Sequence, residues 1–187
     1  MTGLDNKTIL TALAALGEAL KTSRSIEILI VGGAAGVLIN ALPAAWTTAD
    51  VDAIHFQLPQ DRDAVLDTAA AIARELSLPA DWLNDWSGLY AWTLPIDWES
   101  RRVHIGTYGR LEVFAASRFD LIAMKFIAHR PGDLEHLERM SITAGDLEFV
   151  RTYLDSMAKL YPAGRYPVEF GKIEMARQYV NSWEGGL

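Results

Sequence analysis

The sequence predicts an α+β fold of α/β type, a mixed sheet flanked by helices with a helical C-terminal part. Three observations predict it. Strand-like and helix-like apolar periods alternate between residues 26 and 76, further strand-like runs continue to residue 115, and beyond Ser117 every apolar stripe has helical spacing. Half of the 187 residues are hydrophobic, enough to bury a core without disulfide or metal staples.

Residues 5–21 place Ile9, Leu10, Leu13, Leu16 and Leu20 on one helical stripe, with Asp5 as N-cap. Residues 26–31 are short, β-branched and almost wholly apolar, which reads as a buried strand. Gly32 and Gly33 end that strand, and residues 34–42 make a short helix stopped before Pro43. A second strand spans residues 50–56 and is closed by Pro59. Residues 62–76 carry Val65, Leu66, Ala69, Ile72, Ala73 and Leu76 at helical spacing, a crossover helix. Residues 78–86 are rich in turn formers and aromatics and read as a loop. Strands are expected at 90–94, 102–106 and 110–115, the last two joined as a hairpin across residues 107–109. Ser117 and Asp120 form a near capping box for the next helix, and Pro131 suits a first helical turn. Leu147, Val150, Leu154 and Met157 mark a further helix, and residues 168–183 another.

Composition narrows the chemistry. Cysteine is absent, which excludes disulfide frameworks, thiolate metal sites and cysteine nucleophiles. His55, His104, His129 and His136 show no His-x-x-x-His spacing, so no zinc site is expected. No basic region followed by an apolar run precedes Asp5, so no signal peptide is expected. Glu27, three glycines, Asn40 and Pro43 interrupt the longest apolar stretch, so no membrane span is expected and the default location is the cytoplasm. The net charge of −7 argues against a general nucleic-acid-binding surface. Yet Arg101, Arg102, Arg110, Arg118, Lys125 and Arg130 share their stretch with only Glu112 and Asp120. Two readings of that local excess stand side by side: a solvated, ion-paired face, or a rim that attracts phosphate.

Two features carry candidate chemistry. The first is the strand-Gly32-Gly33-helix unit. Glycines at such a turn let the backbone approach a ligand, and the following helix offers free N–H groups to a phosphate; glycine pairs also close strands for steric reasons alone. The spacing is not Gly-x-Gly-x-x-Gly, which disfavours a dinucleotide-binding dehydrogenase. The second is Asp50-Val51-Asp52. Residues i and i+2 of a strand share a face roughly 6–7 Å apart, so both carboxylates can reach Mg2+ ions that also bind phosphate oxygens. Ile54 and Phe56 continue that face as apolar residues, which puts the acids at one end of a buried surface; two solvated acids at a strand end are the alternative.

Together these features resemble the nucleotidyltransferase superfamily related to polymerase β, in which a Gly-Gly or Gly-Ser turn and a helix precede Asp-x-Asp on the next strand. Val31-Gly32-Gly33-x-Ala35 and Thr48-x-Asp50-Val51-Asp52 match in order and separation. Leu78-Pro-Ala-Asp-Trp-Leu-Asn-Asp85, followed by Ala123-Met-Lys-Phe-Ile-Ala128-His-Arg130-Pro-Gly-Asp133, is similar to the bacterial subgroup close to AbiEii-type toxins. The resemblance covers residues 26–137. It implies a nucleotidyltransferase-like domain over residues 1–137, with residues 138–187 as helices packed on it.

The resemblance further implies an enzyme that uses Mg2+ and a nucleoside triphosphate such as ATP. It would move a nucleoside monophosphate onto a hydroxyl of RNA or protein, as the toxin of a toxin–antitoxin pair, with an antitoxin protein as partner and no membrane involved. Asp50 and Asp52 would hold the metal and act in catalysis. Gly32, Gly33, Thr48, Lys125 and Arg130 would bind the nucleotide, with Asp133 on the same helical elbow. Three positions depart from the pattern. Trp46 stands where related toxins carry arginine, and His136 where a second acid is common. The third carboxylate is unmarked: Glu112 is the first candidate and Asp97 the second, either of which could be a surface residue. A protein that keeps the fold but only binds nucleotide or a partner is the rival reading, and a helical interaction protein with an incidental Asp pair is a third. Lys125 reads equally as a helix-surface lysine or a cleft-facing one. Trp82 and Trp86 either stack on a base or pin their loop to the core.

Overall fold

The computed structural model describes residues 3–56 and 58–183, so the first two residues of the expected 1–137 segment and the last four of the 138–187 segment lie outside the described residues. Five strands form one mixed sheet: β1 (Ile26–Val31), β2 (Val51–Phe56), β3 (Leu83–Asn84), β4 (Val103–Tyr108) and β5 (Leu111–Ala115), in the order β3-β2-β1-β5-β4. β1 is central because it is apolar on both faces; Leu29 and Ile30, which point to opposite faces, are both buried. It pairs antiparallel with β2 and parallel with β5, while β4 and β5 form the expected antiparallel hairpin, turned at Gly109 with φ +54°.

Helix α1 (Asn6–Ala19) starts where Asp5 accepts a hydrogen bond from the Thr8 amide at 2.8 Å. It packs on α3 (Pro59–Leu76), β4 and β5. The short helix α2 (Gly32–Leu38) leaves β1 directly through the glycine turn. Helix α4 (Arg118–Ala128) is capped by the Ser117 hydroxyl, which accepts from the Asp120 amide at 3.2 Å and donates to its carboxylate at 2.6 Å. His129, with φ +50°, breaks the chain into an elbow before α5 (Pro131–Arg139). α6 (Ala144–Leu160) and α7 (Pro167–Ser182) pack on α4 and on each other, and their buried Val150, Leu154, Ile173 and Val180 join the same core as the sheet.

Two expectations are corrected. Residues 90–94 are not a strand. They end a 3-10 helix, Trp86–Thr93, held by i→i+3 contacts such as the Gly88 amide to the Asp85 carbonyl at 2.8 Å and Leu94 to Ala91 at 3.1 Å. The alternating aromatics suggest period two, but period three is what puts Ser87, Tyr90 and Thr93 on one cleft wall. The expected loop at 78–86 contains β3, which extends the sheet by pairing parallel with β2, Val51 opposite Leu83 and Asp52 opposite Asn84.

Candidate functional site

Gly32 sits at the C-terminal end of β1 with φ +69°, a left-handed conformation that an L side chain resists. Pairing of β1 with β2 sets Asp52 opposite Val31, so the acid lands beside this turn. A Cβ on Gly32 would lie only 2.8 Å from Asp52 Oδ2. The neighbouring Gly33 meets Thr48 in the same way: a Cβ there would lie 2.9 Å from Thr48 Oγ1 and 3.2 Å from His136 Cε1. The turn is therefore a contact surface, with Asp52 against one glycine and Thr48 with His136 against the other.

Asp50 and Asp52 stand together at the start of β2. Burial pushes the Asp52 carboxyl above its ordinary range, and the like charge of Asp50 adds to that. Hydrogen bonds from the Ser87 hydroxyl and amide, and the positive charge of Arg130, pull the other way. Asp50 accepts a hydrogen bond from Asn84 Nδ2 at 3.0 Å. Asn84 is buried, and its Oδ1 accepts from the Trp86 amide at 2.9 Å.

Gly32 also lines a small cleft whose other walls include Ser87, Tyr90, Lys125, Arg130 and Asp133. Lys125 is 4% exposed, and its ammonium donates to Asp133 Oδ1 at 3.2 Å and to His136 Nδ1 at 2.7 Å. Because an ammonium can only donate, His136 is neutral with its proton on Nε2. Burial, reinforced by Lys125, lowers the His136 pKa to about 4. Burial also depresses the Lys125 pKa, against the opposing pull of Asp133. Burial alone would raise Asp133, but the hydrogen bond from Arg130 and the charge of Lys125 outweigh it and hold the carboxyl below its ordinary value. Arg130 donates from Nε to Asp133 Oδ2 at 2.7 Å and keeps half of its side chain exposed over the Tyr90 ring.

Gly32, Gly33, Thr48 and Asp52 thus meet at the turn with Asp50 beside Asp52, and Gly32 joins them to the cleft lined by Lys125 and Arg130. Glu112 is not among them. On β5 it lies level with Glu27, four residues along β1 from the Val31 level of Asp52, about 13 Å away along the strand. The β5 residues level with the turn are Ala115, opposite Ile30, and Ala116, whose amide bonds the Ile30 carbonyl. Register, which is fixed by pairing between distant segments, thus takes Glu112 away from the turn. Asp97 is exposed and paired with Arg101. Among the described residues no group of three or more His, Cys, Asp or Glu is placed to hold a metal ion.

The remaining alternatives resolve by contact. Trp82 is fully buried and donates from Nε1 to the Ala69 carbonyl at 3.0 Å, so it pins its segment to α3; Trp86 is 62% exposed. Trp46 packs edge-on to His136 at 5.5 Å between ring centroids, and the Arg139 guanidinium lies 5.9 Å from the Trp46 ring centroid. The basic stretch is largely ion-paired: Arg101 with Asp120, Arg102 with Glu27, Arg118 with Asp146, and both Lys125 and Arg130 with Asp133. Asn84 and Ser87 carry no signal in a strand-or-helix reading. A period of three through Ser87, Tyr90 and Thr93 is the pattern that could have found one of them.

No helix among the described residues is long and apolar enough to cross a membrane. Neither a curated protein nor a solved structure matches the chain. Residues 7–176 match the family described as "Nucleotidyltransferase of unknown function (DUF6036)". With an acid-bearing strand set against a glycine turn and nearly the whole chain covered, the protein belongs to this nucleotidyltransferase family.

Proposed function

We propose that the chain is a Mg2+-dependent enzyme that moves a nucleoside monophosphate from a nucleoside triphosphate onto a hydroxyl of a macromolecule. The observation that carries this reading is the contact between Asp52 and Gly32, with Asp50 alongside and the cleft opening from the same glycine. The donor set suits the metal: Mg2+ takes hard oxygen ligands, commonly one or two carboxylates together with substrate phosphates. Burial, with the like charge of Asp50, raises the Asp52 pKa, and a cation bound there would offset both. Held by these carboxylates, Mg2+ would supply charge neutralisation on the transferred phosphoryl group. Asp50 and Asp52 hold it; the backbone at Gly32 and Gly33 lets phosphate oxygens approach, and the Thr48 hydroxyl stands beside them. The half-exposed guanidinium of Arg130 would meet the outer phosphates, while Lys125, in the cleft wall, fixes Asp133 and His136.

The pairing of most cations in the basic stretch, with the −7 net charge, favours a protein hydroxyl over RNA as acceptor. Action as a toxin with an antitoxin partner rests on the resemblance of the 78–85 and 123–133 motifs alone. One observation favours a second reading, a module that binds nucleotide without transferring it: β5 presents Ala115 and Ala116, not an acid, at the level of the turn. Pyrophosphate release from ATP and the other triphosphates with Mg2+ separates the two. The proposal expects release by the wild-type protein and a loss on the order of a hundredfold or more in Asp52→Asn. Full activity in Asp52→Asn removes the mechanism, and wild-type binding without release establishes the second reading.

A further inference from the structure

We propose that Asn84 is a positioning residue of this site, acting through Asp50; the inference rests on the function proposed above. Strand pairing sets Asn84 on β3 level with Asp52 on β2, on the side of the sheet away from β5. The polar group that completes the acid pair therefore comes from β3, where β5 offers alanines. The orientation of the carboxamide is determined, because its Oδ1 accepts from the Trp86 amide at 2.9 Å and its NH2 must face the other way. That NH2 donates to Asp50 Oδ2 at 3.0 Å, with the Asp81 carbonyl at 3.4 Å as its second acceptor. Asn84 is 5% exposed, so its own end of these bonds is shielded from water. One oxygen of Asp50 is thereby tied to the sheet, and its other oxygen is left for a cation. The same segment leads to the second acid, because Ser87 follows Trp86 at the start of the 3-10 helix and lowers the Asp52 pKa against burial.

The test is the affinity of the full-length protein for Mn2+ in the presence of α,β-methylene-ATP, read by electron paramagnetic resonance rather than by turnover. Four proteins are compared: wild type, Asn84→Ala, Asp50→Asn and the double variant. A hydrogen bond to a charged group corresponds to a loss of about tenfold or more. The inference expects that loss in Asn84→Ala, and expects the double variant to bind no more weakly than Asp50→Asn, as two residues acting through one another must. Unchanged affinity in Asn84→Ala overturns the inference. So does an additive loss in the double variant, which would make Asn84 a fold element independent of Asp50. Absence of Mn2+ binding by the wild-type protein overturns the proposed function itself, a result distinct from either.

Discussion

Gly32→Ala adds one methyl group at the point where the glycine turn meets Asp52. Two costs arise from it. The first is conformational: φ at residue 32 is +69°, and holding an L residue there costs about 1–2 kcal/mol. For a chain of this length about 1 kcal/mol lowers the melting temperature by roughly 2–4 °C. The second is local. The new Cβ would stand 2.8 Å from Asp52 Oδ2, so the carboxylate must turn away from the turn or the backbone must shift. Misplacement of a reacting or binding group by ~1 Å can cost a hundredfold. Function should therefore fall much further than stability. Gly33→Ala separates the two costs: its φ is not in the left-handed region, so only the contacts with the Thr48 hydroxyl and the His136 ring edge remain, and the conformational penalty is absent. Thermal melts and calorimetric titration with ATP and Mg2+ measure the two effects separately. Wild-type melting and wild-type affinity in Gly32→Ala would refute the argument that Asp52 works in contact with this turn.

Three further outcomes follow from the packing. Lys125→Met strands a nearly buried Asp133 with Arg130 as its remaining cation, and should cost about 2–3 kcal/mol in urea unfolding, somewhat below the usual loss for a broken buried pair. His136→Gln should flatten the acid side of the stability profile. An unfolded histidine takes up a proton below about pH 6.5, whereas the folded ring stays neutral down to about 4, so wild-type stability falls as pH drops through that window. Urea midpoints at neutral pH and at pH 5 show whether the variant loses less stability between them. Trp82→Ala should cost about 3–5 kcal/mol and Trp86→Ala no more than about 0.5, because only the first is buried; melts of both variants decide it.

The parts of the site that lie close together along the chain are legible in the sequence. The apolar run of β1, the glycine turn after it and the i, i+2 acids of β2 each depend on local rules, as do the caps at Asp5 and Ser117. What is not legible depends on partners far along the chain. β3 has two residues, too few for any period, and exists because β2 offers it an edge. Glu112 stands away from the turn through register alone, since nothing in the β5 residues tells which end of the sheet it reaches. Lys125 reads equally as a surface or a cleft residue on its own helix; only the return of α5 brings Asp133 and His136 to its ammonium. Residues 90–94 imitate a strand because Tyr90, Trp92 and Leu94 alternate with smaller residues, while the turns of that segment are set by i→i+3 bonds.

Diffraction from crystals grown with Mn2+ and a non-hydrolysable nucleoside triphosphate bears on the whole scheme at once. Anomalous density between the carboxylates of Asp50 and Asp52, with phosphate oxygens lying along Gly32 and Gly33, is the predicted result. A manganese ion bound away from Asp52, or a triphosphate seated elsewhere on the protein, would contradict it.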